Sequence, residues 1–271
     1  MKVYLLTSNK YTATICPINI HFLNKNWPNL DVTIVGYEDV LKLDDLPANT
    51  NVACLGNQAD YGATWTDALI PFFNTVPEEY FTLIFDDHIL LNEVDTDSVK
   101  IIEEQFLLKK VDKAMIGGGI DLNNSTKFAD DLLVFNQDAD YRLSLHPAIW
   151  TKEYFLRYLK PGQTSWQFEV ENDAKFDDAV IVNLNYDYPN EPHVYSYLEL
   201  YTKGVMTIDR DGHTLTNQPS SCFFDKKDIQ YIWNKVRNPE GIKERVHEVF
   251  GFGSHGVRGT EFSKAFEKSK S

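Results

Sequence analysis

Short apolar segments alternate with segments of helical periodicity over the first 116 residues, and this alternation limits the fold more than any other feature. The clearest apolar segment, Tyr80–Phe85, is almost free of polar side chains, as expected for a strand that is covered on both faces. Four similar segments are predicted as strands: Val3–Leu6, Val32–Val35, Val52–Leu55 and Ala114–Ile116. Strands separated by helices of about ten to fifteen residues form right-handed βαβ units, so we expect a mainly parallel central sheet flanked by helices.

The spacing of apolar residues predicts the intervening helices. The first carries Ile15 and Ile18 on one face, and the second covers residues 65–73. A third follows Asp95 or Asp97, because aspartate is a good N-cap residue. The first half of the chain therefore has the pattern of an α/β protein.

The second half of the chain is less regular, and we expect it to elaborate the same domain. Its predicted strands are Leu132–Phe135, Tyr141–Leu145, Val180–Leu184 and Val194–Tyr201. Its predicted helices are Thr151–Leu159 and Thr164–Ala174, on either side of the helix-breaking pair Pro161-Gly162. No Ser- or Gly-rich linker divides the chain, so residues 1–225 are predicted as one α/β domain, with residues 226–271 as its helical, basic tail.

The charge balance excludes one class of partner. The 271 residues hold 26 Lys and Arg against 40 Asp and Glu, a formal net charge of −14. Binding to a phosphate backbone needs clustered basic residues, so nucleic acid and anionic membrane surfaces are unsuitable partners. Residues 226–271 are the exception, with ten basic and six acidic residues. A solvated basic helix and a segment that closes over a polyphosphate are both open for this tail.

The sequence favours a cytoplasmic location. No stretch approaches about 18 consecutive apolar residues, so no transmembrane segment is expected, and the first apolar run is too short for a secretory signal. The three cysteines, Cys16, Cys54 and Cys222, are widely spaced and form no CxxC pair. A disulfide framework or a structural zinc site is therefore not expected, which fits a reducing compartment.

The strongest chemical signal lies where Tyr80–Phe85 is followed by Asp86, Asp87 and His88. In an extended backbone Asp86 and His88 point to the same side and Asp87 to the other. A carboxylate and an imidazole at the carboxyl end of a strand can share a divalent cation, and ligands bind at that end of open α/β sheets. The oxygen–nitrogen pair suits Mn²⁺ somewhat better than Mg²⁺. The alternative is a polar turn in which Asp87 caps the segment that follows.

Five short blocks resemble those of the GT-A fold glycosyltransferases, and more closely a bacterial, phage and large-virus group with an Asp-x-Asp or Asp-x-His metal motif. In chain order they are Leu6–Tyr11 (LTSNKY), Trp65–Leu69 (WTDAL), Phe85–Leu90 (FDDHIL), Ser144–Trp150 (SLHPAIW) and Lys160–Glu169 (KPGQTSWQFE). The resemblance implies a Rossmann-like GT-A domain and a hexosyltransferase that uses a nucleotide-sugar donor, most commonly a UDP-sugar. It also implies that Thr7 and Ser8 lie beside the base and ribose of the nucleotide, with Asp67 on the same side.

By the same resemblance, Asp86 and His88 would hold the Mn²⁺ or Mg²⁺ ion that bridges the diphosphate, and Asp87 would contact the ribose or the metal. Many members carry a third acidic residue at the position of His88, so this chain departs from the common ligand set. A cation at this place stabilises the negative charge that a departing nucleoside diphosphate acquires.

Transfer also requires a group that accepts the proton of the acceptor hydroxyl. By resemblance this base is Glu169, because Trp166-Gln167-Phe168-Glu169 matches the Trp-x-Phe-Glu segment near the acceptor side of the family. Glu171 and Asp173 are rivals, and a first-turn helical carboxylate without a catalytic role is the other interpretation of Glu169. Trp166 either stacks on an acceptor sugar or fills the core, which is the commoner fate of a tryptophan.

The segment Gly251–Gly256 formally matches GxGxxG, but it follows a helix-like run instead of a strand, so it is not predicted to bind a dinucleotide. Two interpretations stay open: a flexible tail, and a lid that brings Arg258 onto the diphosphate and His255 to the metal. The histidines without a neighbour at ligand spacing are predicted to be structural or on the surface: His21, His146, His193, His213 and His247.

The sequence thus predicts a metal-dependent glycosyltransferase that moves a sugar from a nucleotide-diphosphate donor to a saccharide-like acceptor, by fold analogy with inversion. The alternative is a carbohydrate- or nucleotide-binding module that keeps this scaffold without turnover. A sugar nucleotidyltransferase fits less well, because Thr7–Tyr11 lacks the Gly-rich, Arg-containing loop of that class.

Overall fold

Strands and helices alternate along the first half of the chain, as its sequence predicts. The computed structural model describes residues 1–117, 125–129, 132–184, 194–202, 205–208 and 224–236. The strands are β1 (Lys2–Leu6), β2 (Asp31–Gly36), β3 (Thr50–Cys54), β4 (Tyr80–Phe85), β5 (His88–Leu90), β6 (Lys113–Met115), β7 (Ser125–Ala129), β8 (Leu132–Phe135), β9 (Ala148–Thr151), β10 (Ile181–Leu184), β11 (Tyr197–Glu199), β12 (Tyr201–Thr202) and β13 (Val205–Met206). The α-helices are α1 (Asn9–Thr12), α2 (Ile15–Asn26), α3 (Thr66–Thr75), α4 (Thr96–Leu107), α5 (Lys152–Tyr158), α6 (Ser165–Val170) and α7 (Lys226–Lys235).

Nine of the described strands form one sheet in the order β3-β2-β1-β4-β9-β6-β10-β8-β7. The neighbours β3, β2, β1 and β4 are parallel, and so are β6 and β10. Of these nine described strands, β9 and β8 run opposite to the other seven. Seven of the nine strands therefore point the same way, which confirms the predicted α/β class with a mainly parallel central sheet.

Helices cover both faces of this sheet, and the alternation within β1 shows how. Val3 and Leu5 pack in a cluster with residues of α2 and α4, whereas Tyr4 and Leu6 pack in a second cluster with residues of α3 and α5. A buried leucine or phenylalanine contributes about 1.5–3 kcal/mol to folding. The two-sided burial explains why the central strands carry so few polar residues.

Local side chains fix several helix starts. The Asp95 carboxylate accepts the backbone N–H groups of Asp97 and Ser98, both at 3.1 Å, so Asp95 and not Asp97 is the N-cap of α4. Thr164 and Gln167 form a capping box at the start of α6, where each side chain bonds the backbone of the other. These caps satisfy N–H groups that have no partner within a helix.

The predicted strand Tyr141–Leu145 is wrong, because this segment forms a turn. Tyr141 has a φ of 56°, and Ser144 N–H donates to its carbonyl at 2.9 Å. The buried Arg142 guanidinium donates to the Ala174 and Ala179 carbonyls, both at 2.8 Å, and so holds this turn against the segment 174–179. Tertiary hydrogen bonds decide the conformation here, and local propensity does not show them.

Other boundaries also differ from prediction. The helix predicted over 164–174 ends at Val170, and the strand predicted over 194–201 is broken into β11 and β12. The strands β7 and β9 were not expected from the pattern. Because β9 has only four residues, it gives no periodicity to recognise.

The helix α7, at the start of the predicted tail, packs on α2. Ile15, Ile18 and Phe22 of α2 share an apolar cluster with Ile232. The Lys25 ammonium donates to the buried Asp228 carboxylate at 2.6 Å. Residues 226–235 therefore belong to the same packed unit as the central sheet, and residues 237–271 lie outside the described part of the chain.

Candidate active site

The carboxyl ends of β1 and β4 bring the first polar residues of the candidate site together. The two strands are parallel neighbours with Leu6 opposite Phe85, so Thr7 and Asp86 emerge side by side. The Thr7 hydroxyl donates to the Asp86 carboxylate at 2.5 Å. This edge is where ligands bind in open α/β sheets.

Asp86 is a buried carboxyl group, with 5% of its surface exposed. Burial raises its pKa to about 8, although the hydrogen bond from Thr7 and those from the N–H groups of Asp87 and Ser8 oppose the rise. The nearby Asp87 carboxylate adds to the rise. Asp86 therefore keeps its proton at neutral pH unless a positive charge compensates its carboxylate.

The chain turns at residues 86 and 87, before β5 begins at His88. The expectation of an extended backbone from Asp86 to His88 is therefore wrong, because alternation of side chains stops where the strand stops, at Phe85. His88 Nε2 lies 3.9 Å from Asp87 Oδ1, whereas Asp86 contacts Thr7. The structure brings Asp87 to His88, and joint cation binding by Asp86 and His88 stays a prediction.

His88 is a buried, neutral histidine. Its pKa is lowered to about 3, chiefly by burial and also by the nearby His146. Its Nδ1 atom is buried and has no hydrogen-bond partner among the described residues. A neutral imidazole is the form that binds metals, so this residue fits the role of a metal ligand.

Asp87 adds a second carboxyl group to the turn, beside His88. Its pKa is raised to about 7, chiefly by burial and also by the nearby Glu199 carboxylate. Two carboxyl groups and one imidazole within one turn match the oxygen and nitrogen ligands that Mn²⁺ accepts. Within the described ranges no group of three His, Cys, Asp or Glu side chains is arranged to hold a metal ion. A cation here would take its remaining ligands from substrate oxygens or water.

The segment before β9 adds a histidine that sequence reasoning did not assign to the site. Since β9 runs against β4 and β6, its start and not its end lies at the carboxyl edge. His146 Nδ1 shares a hydrogen bond with the Tyr197 hydroxyl. The His146 ring lies parallel to the His88 ring, with the ring centroids 6.2 Å apart. The sequence does not reveal the direction of β9, and so it does not show that His146 lies at this edge.

Glu169, the predicted base, approaches the same segment from α6. Its carboxylate accepts the N–H of Leu145 at 2.6 Å. Glu169 is the fifth of six residues in α6, so its interpretation as a first-turn carboxylate is wrong. Glu169 is half-buried, whereas the rival Glu171 is exposed and Asp173 is exposed. Of the three carboxylates, the structure ties Glu169 to the segment that carries the site histidine.

The buried Lys113 bonds to the backbone of residues 142–144, just before His146. The Lys113 ammonium donates to the carbonyls of Arg142 at 2.9 Å and Ser144 at 2.7 Å, and it lies 4.1 Å from the centre of the Trp150 ring. Burial lowers the Lys113 pKa well below its ordinary value, and the nearby Glu169 carboxylate opposes that shift. Sequence reasoning overlooked this lysine because its burial is a tertiary property.

Comparison with known proteins yields fold-level likenesses only. No family model and no curated protein matches the sequence. Among solved structures, the chain is similar to an active-site mutant of LgtC (10% identity, 90% of this chain and 99% of that one, TM-score 0.43) and to a cytidylyltransferase from Leptospira borgpetersenii (10%, 87% and 94%, 0.44). It is also similar to bifunctional IspDF from Campylobacter jejuni (12% identity, 69% of this chain, TM-score 0.39), of which it spans half the length. Likenesses at these scores carry no functional argument, which therefore rests on the site.

Asp67, which is predicted to lie beside the nucleotide, makes a structural hydrogen bond. Its carboxylate accepts the N–H of Gly162 at 2.8 Å, and the hydroxyl of the preceding Thr66 donates to the Lys160 carbonyl at 2.6 Å. These bonds join the start of α3 to the loop before α6. Nucleotide binding by Asp67 stays a prediction.

Trp166 corrects one expectation, because 63% of its surface is exposed and it does not fill the core. It precedes Glu169 by one helical turn, which leaves its ring available at the surface of α6. The predicted lid residues His255 and Arg258 lie outside the described residues. In the part of the chain that the structure describes, no helix is long and apolar enough to cross a membrane.

Proposed function

We propose that this chain is a metal-dependent glycosyltransferase that transfers a sugar from a nucleotide-diphosphate donor, with UDP as the nucleotide, to a saccharide-like acceptor with inversion. The observation that supports it is the turn after β4, where one buried and one half-buried carboxyl group adjoin a neutral histidine at the carboxyl edge of the sheet. Burying three ionisable groups in one turn destabilises the fold, and such perturbed groups cluster at functional sites.

The donor side consists of the turn and the residues after β1. Asp86, Asp87 and His88 would hold the cation, and the Thr7 hydroxyl orients the Asp86 carboxylate. A divalent cation bound there would supply charge stabilisation to the departing diphosphate. Asp86 must lose its proton to act as a ligand, so donor binding by these residues is coupled to deprotonation.

The acceptor side consists of α6 and the segment before β9. Glu169 accepts the acceptor proton in this proposal, and the bond from Leu145 N–H fixes its carboxylate. His146, fixed by Tyr197, lies between this carboxylate and the turn and positions the donor sugar. Trp166 presents an exposed ring on which an acceptor sugar can stack.

Thermal-shift measurements with UDP test the donor side. We expect UDP to raise the melting temperature only when Mn²⁺ is present, and we expect this rise to be lost in Asp86→Ala and His88→Ala. Asp178→Ala is the matched control, because its side chain is 99% exposed and lies away from the turn. A UDP shift of equal size with and without metal would contradict the cation site.

Hydrolysis and transfer assays separate an enzyme from a binding module without turnover. A panel of nucleotide sugars is screened first for slow, metal-dependent hydrolysis, which needs no acceptor. Glu169→Gln should then keep donor binding and lose transfer, with Glu171→Gln as the exposed control. Full transfer by Glu169→Gln would remove Glu169 as the base, and binding without hydrolysis across the panel would favour the module.

A further inference from the structure

Asn19 is a fully buried polar residue on α2 that faces the turn between β4 and β5. Its Nδ2 atom lies 3.0 Å from the Phe85 carbonyl, 3.1 Å from the Asp86 carbonyl and 3.0 Å from the His88 carbonyl. The two N–H groups of this amide therefore serve three carbonyl oxygens, all within hydrogen-bond distance, of the segment that carries the candidate ligands.

The chemistry of the three acceptors fixes the orientation of this amide. If Oδ1 faced the carbonyls, four oxygen atoms without a proton between them would repel one another, so the nitrogen must face the turn. The opposite atom, Asn19 Oδ1, is buried and has no hydrogen-bond partner among the described residues. Buried acceptors without a hydrogen bond are rare, because leaving one unpaired costs free energy. The contacts of Asn19 Nδ2 with the turn therefore outweigh the cost of leaving Oδ1 unpaired.

Other donors hold the rest of the turn backbone. The Asp87 carbonyl accepts the N–H groups of Leu200 at 2.8 Å and Ile89 at 3.1 Å. The His88 carbonyl also accepts the buried Tyr195 hydroxyl at 3.1 Å. Together with Asn19, these donors bond every carbonyl from residue 85 to residue 88, so the backbone of the turn has one well-defined conformation.

We propose that Asn19 is a positioning residue for the donor site: by holding the backbone of the turn, it sets the places of the Asp86, Asp87 and His88 side chains. This inference rests on the proposed function, because it gives the turn a ligand to bind. A cation site tolerates errors of only about half an ångström in its donor atoms, so support behind the ligands matters as much as the ligands themselves. Asn19 reaches the site only through the backbone of the turn.

The chain offers a matched control on the same helix. Asn26 Nδ2 donates to the Leu90 carbonyl at 3.0 Å, so Asn26→Ala deletes the same amide from α2 and frees a carbonyl of the same strand, β5, but leaves the turn untouched. Asn19→Ala removes the turn contacts. A purely structural role for Asn19 would lower the melting temperature without changing the affinity for the cation.

The test measures the Mn²⁺ concentration that half-saturates the UDP-dependent thermal shift, and the same quantity for metal-dependent donor hydrolysis. For Asn19→Ala we expect a rise of at least tenfold, with the hydrolysis rate at saturating Mn²⁺ within about threefold of wild type. Asn26→Ala should stay within twofold of wild type. Equal half-saturation in the two variants would overturn the inference. If Asn19→Ala does not fold, Asn19→Ser, which keeps one donor, replaces it. For this variant we expect the half-saturating Mn²⁺ concentration to rise at least threefold. An unchanged concentration would overturn the inference.

Hydrogen exchange separates this inference from the proposed function. In the absence of any ligand, amides of residues 85–90 should exchange faster in the Asn19 variants than in Asn26→Ala, whereas those of β2 should be unchanged. Unchanged exchange in 85–90 would overturn the positioning role. Faster exchange in a protein whose wild type shows no Mn²⁺-dependent UDP binding would instead leave the positioning role standing and refute the proposed function.

Discussion

Replacing Asp86 by asparagine should stabilise the metal-free protein at neutral pH. The pKa of Asp86 rises from 3.8 to about 8 on folding, chiefly because the carboxyl group is buried. Between these two values the unfolded chain releases the proton and the folded protein keeps it. The contribution of Asp86 to the free energy of unfolding is therefore fully present below pH 4. It falls by about 1.4 kcal/mol per pH unit as the pH rises towards 8.

By pH 7 this loss amounts to about 4 kcal/mol in wild type, and an asparagine avoids it because it does not ionise. The amide oxygen can keep the backbone donors, and the Thr7 hydroxyl can accept from the amide as well as donate. If half of the gain survives these rearrangements, the free energy of unfolding rises by about 2 kcal/mol. For a chain of this size that corresponds to a melting temperature about 4–8 °C higher.

Differential scanning calorimetry of Asp86→Asn and wild type between pH 4 and pH 8 measures this effect. We expect nearly equal melting temperatures at pH 4 and a growing advantage of the variant as the pH rises. Asp178→Asn, at a 99% exposed position, should follow wild type throughout. A pH-independent difference, or a variant that melts below wild type at pH 7, would refute the reasoning.

Three further predictions concern the surroundings of the site. Arg142→Ala should lower the free energy of unfolding in urea by about 3–5 kcal/mol, because it leaves the buried Asp177 carboxylate, 2.8 Å from the guanidinium, without its cation; a loss below about 1 kcal/mol would contradict this. Gly117→Ala should impair donor hydrolysis, because the added Cβ lies 3.0 Å from the Tyr197 ring and must displace it; wild-type rates would show that this ring is not needed. Trp166→Ala should leave the melting temperature within about 1 °C and raise the acceptor KM severalfold, since the ring is 63% exposed; an unchanged KM would exclude stacking.

The first half of the fold could be predicted because the sequence signals for its strands and helices are local. The strands β1, β2 and β4 consist mostly of buried apolar residues, and Asp95 stands where a helix must begin. Parallel strands with helices between them leave one place for a ligand, at their carboxyl ends. The positions of Thr7 and Asp86 at that edge follow from this rule.

The rest of the site depends on information that lies far apart in the chain. The turn at residues 86 and 87 contains no glycine or proline to mark it, so the sequence leaves both an extended backbone and a polar turn open, and the structure has the turn. His146 reaches the site because β9 runs antiparallel to both of its neighbours, β4 and β6. Lys113 and Asn19 act through carbonyl groups of distant segments, and no spacing within their own helix or strand indicates those contacts.

The helix α2 contacts both the turn at residues 86 and 87 and α7, at the start of the predicted tail. One of its sides holds the turn through Asn19, and another carries α7, where the His21 ring stacks on Tyr231 with centroids 4.3 Å apart. Because a single helix serves both contacts, we expect the docking of residues 226–235 and the order of the turn to be coupled through α2. Truncation after residue 225 would therefore remove more than an appendage: it would uncover the outer side of the helix that holds the turn at residues 86 and 87.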